Sequence, residues 1–338
     1  MSSAGRTTLI LSSQSSILNL KMKFRTEIEI AKLAEGIDHS KKVFALGSCF
    51  AENISSRLAR AKFSVTSNPL GVLFNPFSIA NTIERLDNTR TFAVCDIREG
   101  RESFYSFDAH SSLDGRTNTE LFANLNRAVA QGSKALHEAD WVILTFGTAW
   151  VYEHEGRVVA NCHKQPASQF ERRRLSVEEI EERYDALLNG VLRDKRVVFT
   201  VSPVRHLGDG LQENSVSKAT LRLAVEELVA RHENCCYFPS FEILIDDLRD
   251  YRYYGDDLAH PSKMAIDYVW ERFCEAVLTV EARERLPRIE QIVQAAEHRP
   301  FNPESGQHKQ FCRTMIGKID AMNDLDFTAE RVAFERYL

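Results

Sequence analysis

Strongly apolar runs that stop dead on a small or turn-forming residue, with helical stripes between them, recur along this chain and leave few folds open to it. Val43-Phe44-Ala45-Leu46 halts at Gly47, Trp141–Phe146 (WVILTF) halts at Gly147, and Arg196–Pro203 (RVVFTVSP) ends on Ser-Pro. A run with no polar position has no face left for water. It therefore reads as a strand covered on both sides, the habit of a parallel sheet with helices on each face.

The segments between the runs supply those helices. Ala51–Ala61 follows the first strand, and Phe63–Thr66 is the second strand candidate. Asn75-Pro76 then opens a helix, with Asn as N-cap and Pro in the first turn. That helix carries Ile79, Ala80, Ile83 and Leu86. Another helix starts near Thr119. Ser176 and Glu179 form a capping box before the stripe Val177, Ile180, Tyr184, Leu187, Leu188 and Val191. A helix from about Ser215 to Arg231 precedes CCYFPS, the last core strand. The helix after His260 shows the stripe Ile266, Val269, Trp270, Phe273, Val277 and Val280. Strands alternating with helices predict an α/β fold, a three-layer α/β/α arrangement around a central parallel sheet. Residues 90–118 are polar and read as an excursion with a hairpin, and RVVANCHKQP reads as a hairpin arm and loop.

A chain of 338 residues accommodates one large domain. The expected division is a disordered leader over 1–22, an α/β domain over 23–280, and a charged helical extension over 281–338 broken at Pro287, Pro300 and Pro303. Met22 is a candidate natural start, because patterned sequence begins right after it. Lys and Arg number 43 against 48 Asp and Glu, a net charge of -5, which argues against a nucleic-acid partner. No apolar run nears the roughly 18 residues of a membrane span. The seven cysteines are odd in number and include no CxxC, the pattern of reduced thiols in a cytoplasmic protein. Cys162-His163 and Cys235-Cys236 fit no common zinc spacing, so no metal is expected.

In open α/β sheets ligands bind beyond the carboxyl ends of the strands, so the residues just after each run carry the functional expectation. These are Gly47-Ser48-Cys49; NPLGVLFNP with Gly71 and Asn75; Gly147-Thr148; Ser202-Pro203-Val204-Arg205-His206; and Asp257-Leu258-Ala259-His260. A nucleophile needs an exposed attacking atom, a base and donors for an oxyanion. A strand–Gly–helix turn holds the first, and the helix dipole favours its anion. Asp257 and His260 offer base and orienter from one loop. Backbone N–H groups of Cys49, Gly71 and Gly147 are candidate oxyanion donors. Plainer readings stand beside these: small residues after Gly47 suit any tight turn, a free Cys is often inert, and Asp257 and His260 suit helix capping. His163 is expected at a pocket rim or in loop hydrogen bonds. Arg205 suits an anionic substrate group or a surface ion pair.

GSCFAENI, NPLGVLFNP, LTFGTAWVY, NCHK, SPVRH and DDLAHPSKMA, in that order over roughly residues 22 to 275, resemble the blocks of the GSCFA family. That family is similar to the SGNH/GDSL hydrolases, which are esterases and acyltransferases with a flavodoxin-like three-layer fold. The resemblance lays the superfamily's Gly-Asp-Ser block on Gly47-Ser48-Cys49, implying Cys49 as nucleophile, or Ser48 with a one-residue shift. The second-block glycine falls on Gly71, and Asp-x-x-His falls on Asp257 and His260. The third block, Gly-x-Asn-Asp, falls on Gly147-Thr148-Ala149-Trp150, so its oxyanion Asn is missing; Asn75 and Asn161 are the candidate substitutes. The implied function is hydrolysis of an acyl ester of a carbohydrate or small metabolite without a cofactor. The alternatives are an O-acyltransferase using a thioester donor, or a non-catalytic domain that binds a glycan or acyl ligand.

Overall fold

The central sheet is built from the five expected runs. In the computed structural model, which describes residues 25–338, they form β1 (Lys42–Gly47), β2 (Ser64–Ser67), β3 (Trp141–Phe146), β4 (Arg196–Val201) and β5 (Cys235–Tyr237). The expected leader and Met22 lie outside the described residues. All neighbouring pairs are parallel and the order is β2-β1-β3-β4-β5. That is the 2-1-3-4-5 order of doubly wound, flavodoxin-like sheets, whose switch point lies between β1 and β3.

The fully apolar strands serve two cores, because successive side chains point to opposite faces. Phe44, Leu46, Val142, Leu144 and Phe199 join one core, under α2 (Pro76–Asp87), α3 (Asn118–Glu138), α4 (Val177–Asn189) and α5 (Gly210–Arg231). Val43, Ala45, Trp141, Ile143 and Val198 join the other, under α1 (Cys49–Arg60) and α6 (Lys263–Val277). The chain is thus a three-layer α/β/α fold. The expected caps form: Asn75 accepts from Ser78 N at 2.8 Å, and Ser176 and Glu179 close their box.

The polar excursion contains the hairpin of Arg98–Glu99 with Phe104–Tyr105. RVVANCHKQP supplies a hairpin arm, Arg157–Val158, followed by a loop as expected, and the hairpin belongs to a three-stranded sheet. Trp150–His154 pairs with Arg157–Val158 on one side and Glu171–Arg174 on the other. Glu171–Arg174 reads ERRR and carries no apolar alternation to announce a strand. Pairing forms across the ladder instead: Arg173 Nε donates to Glu153 at 2.9 Å, and Arg172 lies 3.9 Å over the Trp150 ring.

Two C-terminal expectations change. Val280 does not extend the α6 stripe, because α6 ends at Val277 and Thr279 caps a new helix, α7 (Val280–Glu297), leaving Val280 exposed. Pro287 lies inside α7 and does not break it, whereas Pro300 and Pro303 do fall in the connection to α8 (Gly306–Asp320). With α9 (Thr328–Glu335), these helices bury Ile289, Ile292, Cys312, Met315 and Phe334 in a cluster of their own. They also dock on α1 and the turn after it, through Arg60 with Glu290 and Lys62 with Glu330. Among the described residues no helix is long and apolar enough to cross a membrane.

Candidate active site

The turn after β1 can be made only with glycine. Gly47 has φ +140°, and a Cβ there would lie 2.2 Å from the carbonyl oxygen of Thr145 on β3. The close approach aims the chain out of the sheet at the switch point and starts α1 at once. Ser48 is the N-cap: buried, it accepts from Phe50 N at 3.3 Å, while its own N–H donates to Thr145 O. Cys49 is the first helical residue and is half-buried. Burial pushes the Cys49 thiol up, and Glu52 adds to this. The N–H groups of Phe50 and Cys49, together with Lys218, pull the other way without reversing it. Cys49 therefore rests as a thiol and needs a base before it can attack.

The loop that returns from β5 to α6 carries a candidate. Asp257 Oδ2 lies 2.5 Å from His260 Nδ1, and Oδ1 accepts from Ala259 N at 3.0 Å and His260 N at 2.9 Å. These contacts, the His260 N–H first, hold the Asp257 carboxyl at about 2. The carboxylate fixes the proton on Nδ1, and Nε2 makes no hydrogen bond among the described residues. Leu258, between them, has φ +55°, a conformation unfavourable for a branched residue and held by the Asp257 contacts on either side. Neither Asp257 nor His260 caps the next helix, since Ser262 does that.

Cys49 and His260 line one cavity of about 410 Å³ at the carboxyl edge of the sheet. Ser48, Asn75, Gly147, Thr148, Asn161 and Arg205 share its wall, so these expected residues are brought together. Gly47 lies beneath as backbone support. Gly71 and His163 do not reach the wall. Gly71 N donates to Asn68 O at 2.7 Å, and its φ of +82° lets the chain pass where a Cβ would meet His110. His163 is stacked on Tyr105 at 4.4 Å with Nε2 between the carbonyls of Ser106 and Ala109, a loop-holding residue.

The expected oxyanion donors also need revision. Gly147 N donates to Phe74 O at 2.8 Å, so neither Gly71 nor Gly147 has a free N–H. Asn75 Oδ1 accepts from Ser78 N and one Nδ2 hydrogen goes to Ser78 Oγ, which leaves the second Nδ2 hydrogen without a partner among the described residues. Asn161 accepts from His163 N through Oδ1, and its Nδ2 is unpaired among the described residues. Trp150 Nε1 is buried without a partner, and Trp150 lies on the same wall. Asn75 and Asn161 thus join the Cys49 N–H, at the positive end of α1, as candidate donors on the cavity wall.

Lys218 escaped the sequence reading. It is 1% exposed and donates from Nζ to Gly147 O and Ser202 O, both at 2.6 Å, tying the ends of β3 and β4 together. Burial lowers it to about 7, opposed by its attraction to Cys49. The signal was present: Lys218 precedes Leu221, Val225 and Leu228 at helical spacing, so it falls on the buried stripe of α5. Among the described residues, no cluster of three or more His, Cys, Asp or Glu is placed to hold a metal ion.

The order 2-1-3-4-5, with Cys49 at the switch point and His260 lining the same cavity, defines a doubly wound three-layer α/β protein with its candidate site at the carboxyl edge of the sheet. Residues 42–273 match the model of the GSCFA family, and residues 289–338 match that of the GSCFA domain protein C-terminal domain. The chain belongs to the GSCFA family. No match is found among curated proteins.

Proposed function

We infer that the chain catalyses acyl transfer from an ester, in the manner of an SGNH-like hydrolase, with Cys49 as nucleophile, His260 as base and Asp257 as its orienter. The observation that carries this is His260 on the wall of the cavity that Cys49 also lines, with its Nδ1 paired to Asp257 and its Nε2 left unpaired among the described residues. Ser48 is the weaker nucleophile candidate, because its hydroxyl is buried and caps α1.

In the first step His260 Nε2 takes the Cys49 proton as Sγ bonds to the acyl carbon. The carbonyl oxygen becomes an oxyanion, for which the candidate N–H donors on the cavity wall include Cys49 N and Asn161 Nδ2. Collapse breaks the C–O bond, and the imidazolium returns its proton to the departing alcohol, leaving a thioester on Cys49. Water, with His260 again as base, then releases the acid and restores the thiol. Asp257 stays ionised throughout and stabilises the imidazolium.

A small-molecule or glycan ester is the substrate class this reading carries over. Transfer from a thioester donor to a hydroxyl acceptor is the second reading, favoured by the thiol itself, since thioester-to-thioester exchange on Cys49 is nearly balanced. The test is turnover of p-nitrophenyl acetate and of an acyl thioester by the wild type, Ser48→Ala and Cys49→Ala. Cys49→Ala should abolish both activities. Ser48→Ala should keep turnover while losing about 1 kcal/mol of stability with the cap. Equal rates in all three proteins would sink the catalytic reading and leave a domain that binds acyl or glycan ligands.

A further inference from the structure

The cavity beside Cys49 is electrically one-sided. No Asp or Glu stands on its wall, and its only Lys or Arg is Arg205. The neighbouring His206 is already matched, with Nδ1 2.6 Å from Asp209. Arg205 is not: half-buried, it forms no ion pair with a carboxylate among the described residues, although most arginines around the fold do. A guanidinium is costly to draw out of water without an anion, so an unmatched one in a cavity is a binding feature before it is a structural one.

Arg205 is also held in place. Its backbone N–H donates to Ala259 O at 3.0 Å, and Nη1 reaches Leu258 O at 3.4 Å. Its guanidinium carbon lies 3.9 Å over the Tyr254 ring and 5.3 Å from that of Tyr251. The residues that position it, Leu258 and Ala259, are those between Asp257 and His260. Cation and base are therefore fixed to one another through a single loop. The remaining wall is largely apolar, with Phe74, Trp150, Tyr152, Val159 and Val204 between polar groups.

We propose that Arg205 is the anion anchor of this cavity, and that the substrate is an acyl compound carrying a carboxylate or phosphate, separated by a short apolar stretch from the carbonyl that Cys49 attacks. This rests on the acyl-transfer reading for the word substrate; the anion subsite itself does not. Arg205 leaves spare N–H donors for two oxygens of such a group, and the apolar wall accommodates the carbon chain between.

The test reads binding without turnover. Alkylation of Cys49 by neutral iodoacetamide is followed by mass spectrometry at low ionic strength, with pentanoate, butyl phosphate or neutral pentanamide as protectant. In the wild type both anions should protect at about 10- to 100-fold lower concentration than the amide, the range of a charge-assisted hydrogen-bonded pair. The better anion identifies carboxylate or phosphate as the natural group. Arg205→Met should erase the advantage, and Arg205→Lys should keep part of it, as a point charge without the planar fork. Anions no better than the amide in the wild type would overturn the proposal without any variant. So would an advantage that survives in Arg205→Met, shown folded by circular dichroism. Anion protection without any ester turnover would leave the subsite standing and remove the acyl-transfer reading; turnover without anion protection would do the reverse.

Discussion

Replacing Lys218 by Met removes a charge from under the site while keeping most of the side chain's volume. In the folded chain the ammonium titrates at about 7, against an ordinary 10.5, because it is fully buried. Its folded value is thus lowered, so between pH 7 and 10.5 the unfolded chain holds a proton that the folded chain has lost. Stability must then rise with pH across that window and be lost as pH falls through 7. One proton corresponds to about 1.4 kcal/mol per pH unit. With the group half-protonated at pH 7, the gain between pH 7 and pH 9 is about 2 kcal/mol. Urea unfolding of wild type and Lys218→Met at both pH values isolates this, since other groups titrate alike in the two proteins. The wild-type stability minus that of the variant should increase by about 2 kcal/mol from pH 7 to pH 9. A difference that stays flat would mean that Lys218 keeps its proton throughout, and that its bonds to Gly147 O and Ser202 O outweigh its burial.

Three further outcomes follow from the geometry. His260→Ala should lower kcat for ester turnover by about 10²- to 10⁴-fold, the usual weight of a general base, with KM changed far less. Asp257→Asn should lower kcat in the same direction, and the wild-type rate should show no acid limb from Asp257 near pH 4, because that carboxyl titrates at about 2. Gly47→Ala should cost several kcal/mol in urea unfolding, since a Cβ 2.2 Å from Thr145 O must push β1 and β3 apart.

The layer architecture was legible because it is written in local pattern. Val43–Leu46 is apolar at every position and Trp141–Phe146 at every position but Thr145, which suits a doubly covered strand, and the structure divides their apolar side chains between two cores by simple alternation. Helix starts were readable for the same reason: Asn75-Pro76 and Ser176–Glu179 act over three or four residues. The strand Glu171–Arg174 was not readable, because what holds it is pairing with Trp150–His154, some twenty residues away. Val280 misled because helical periodicity carries across a break that Thr279 makes by capping the next helix.

At the site, sequence order alone marked the residues that follow each strand, because a parallel sheet sends all of those positions to one edge. It thereby marked Cys49, Gly147, Arg205 and His260, which the structure brings to a single cavity. What each of them has free to offer was decided by tertiary structure. The N–H groups of Gly71 and Gly147 are used by Asn68 and Phe74, Ser48 is used as a cap, and His163 is used to pin a loop. Lys218 and the unpaired Nε1 of Trp150 entered the site only when α5 and the small antiparallel sheet folded against the strand ends. Hydrogen-bonding capacity is a property of the filled neighbourhood, and residue identity supplies only its upper limit.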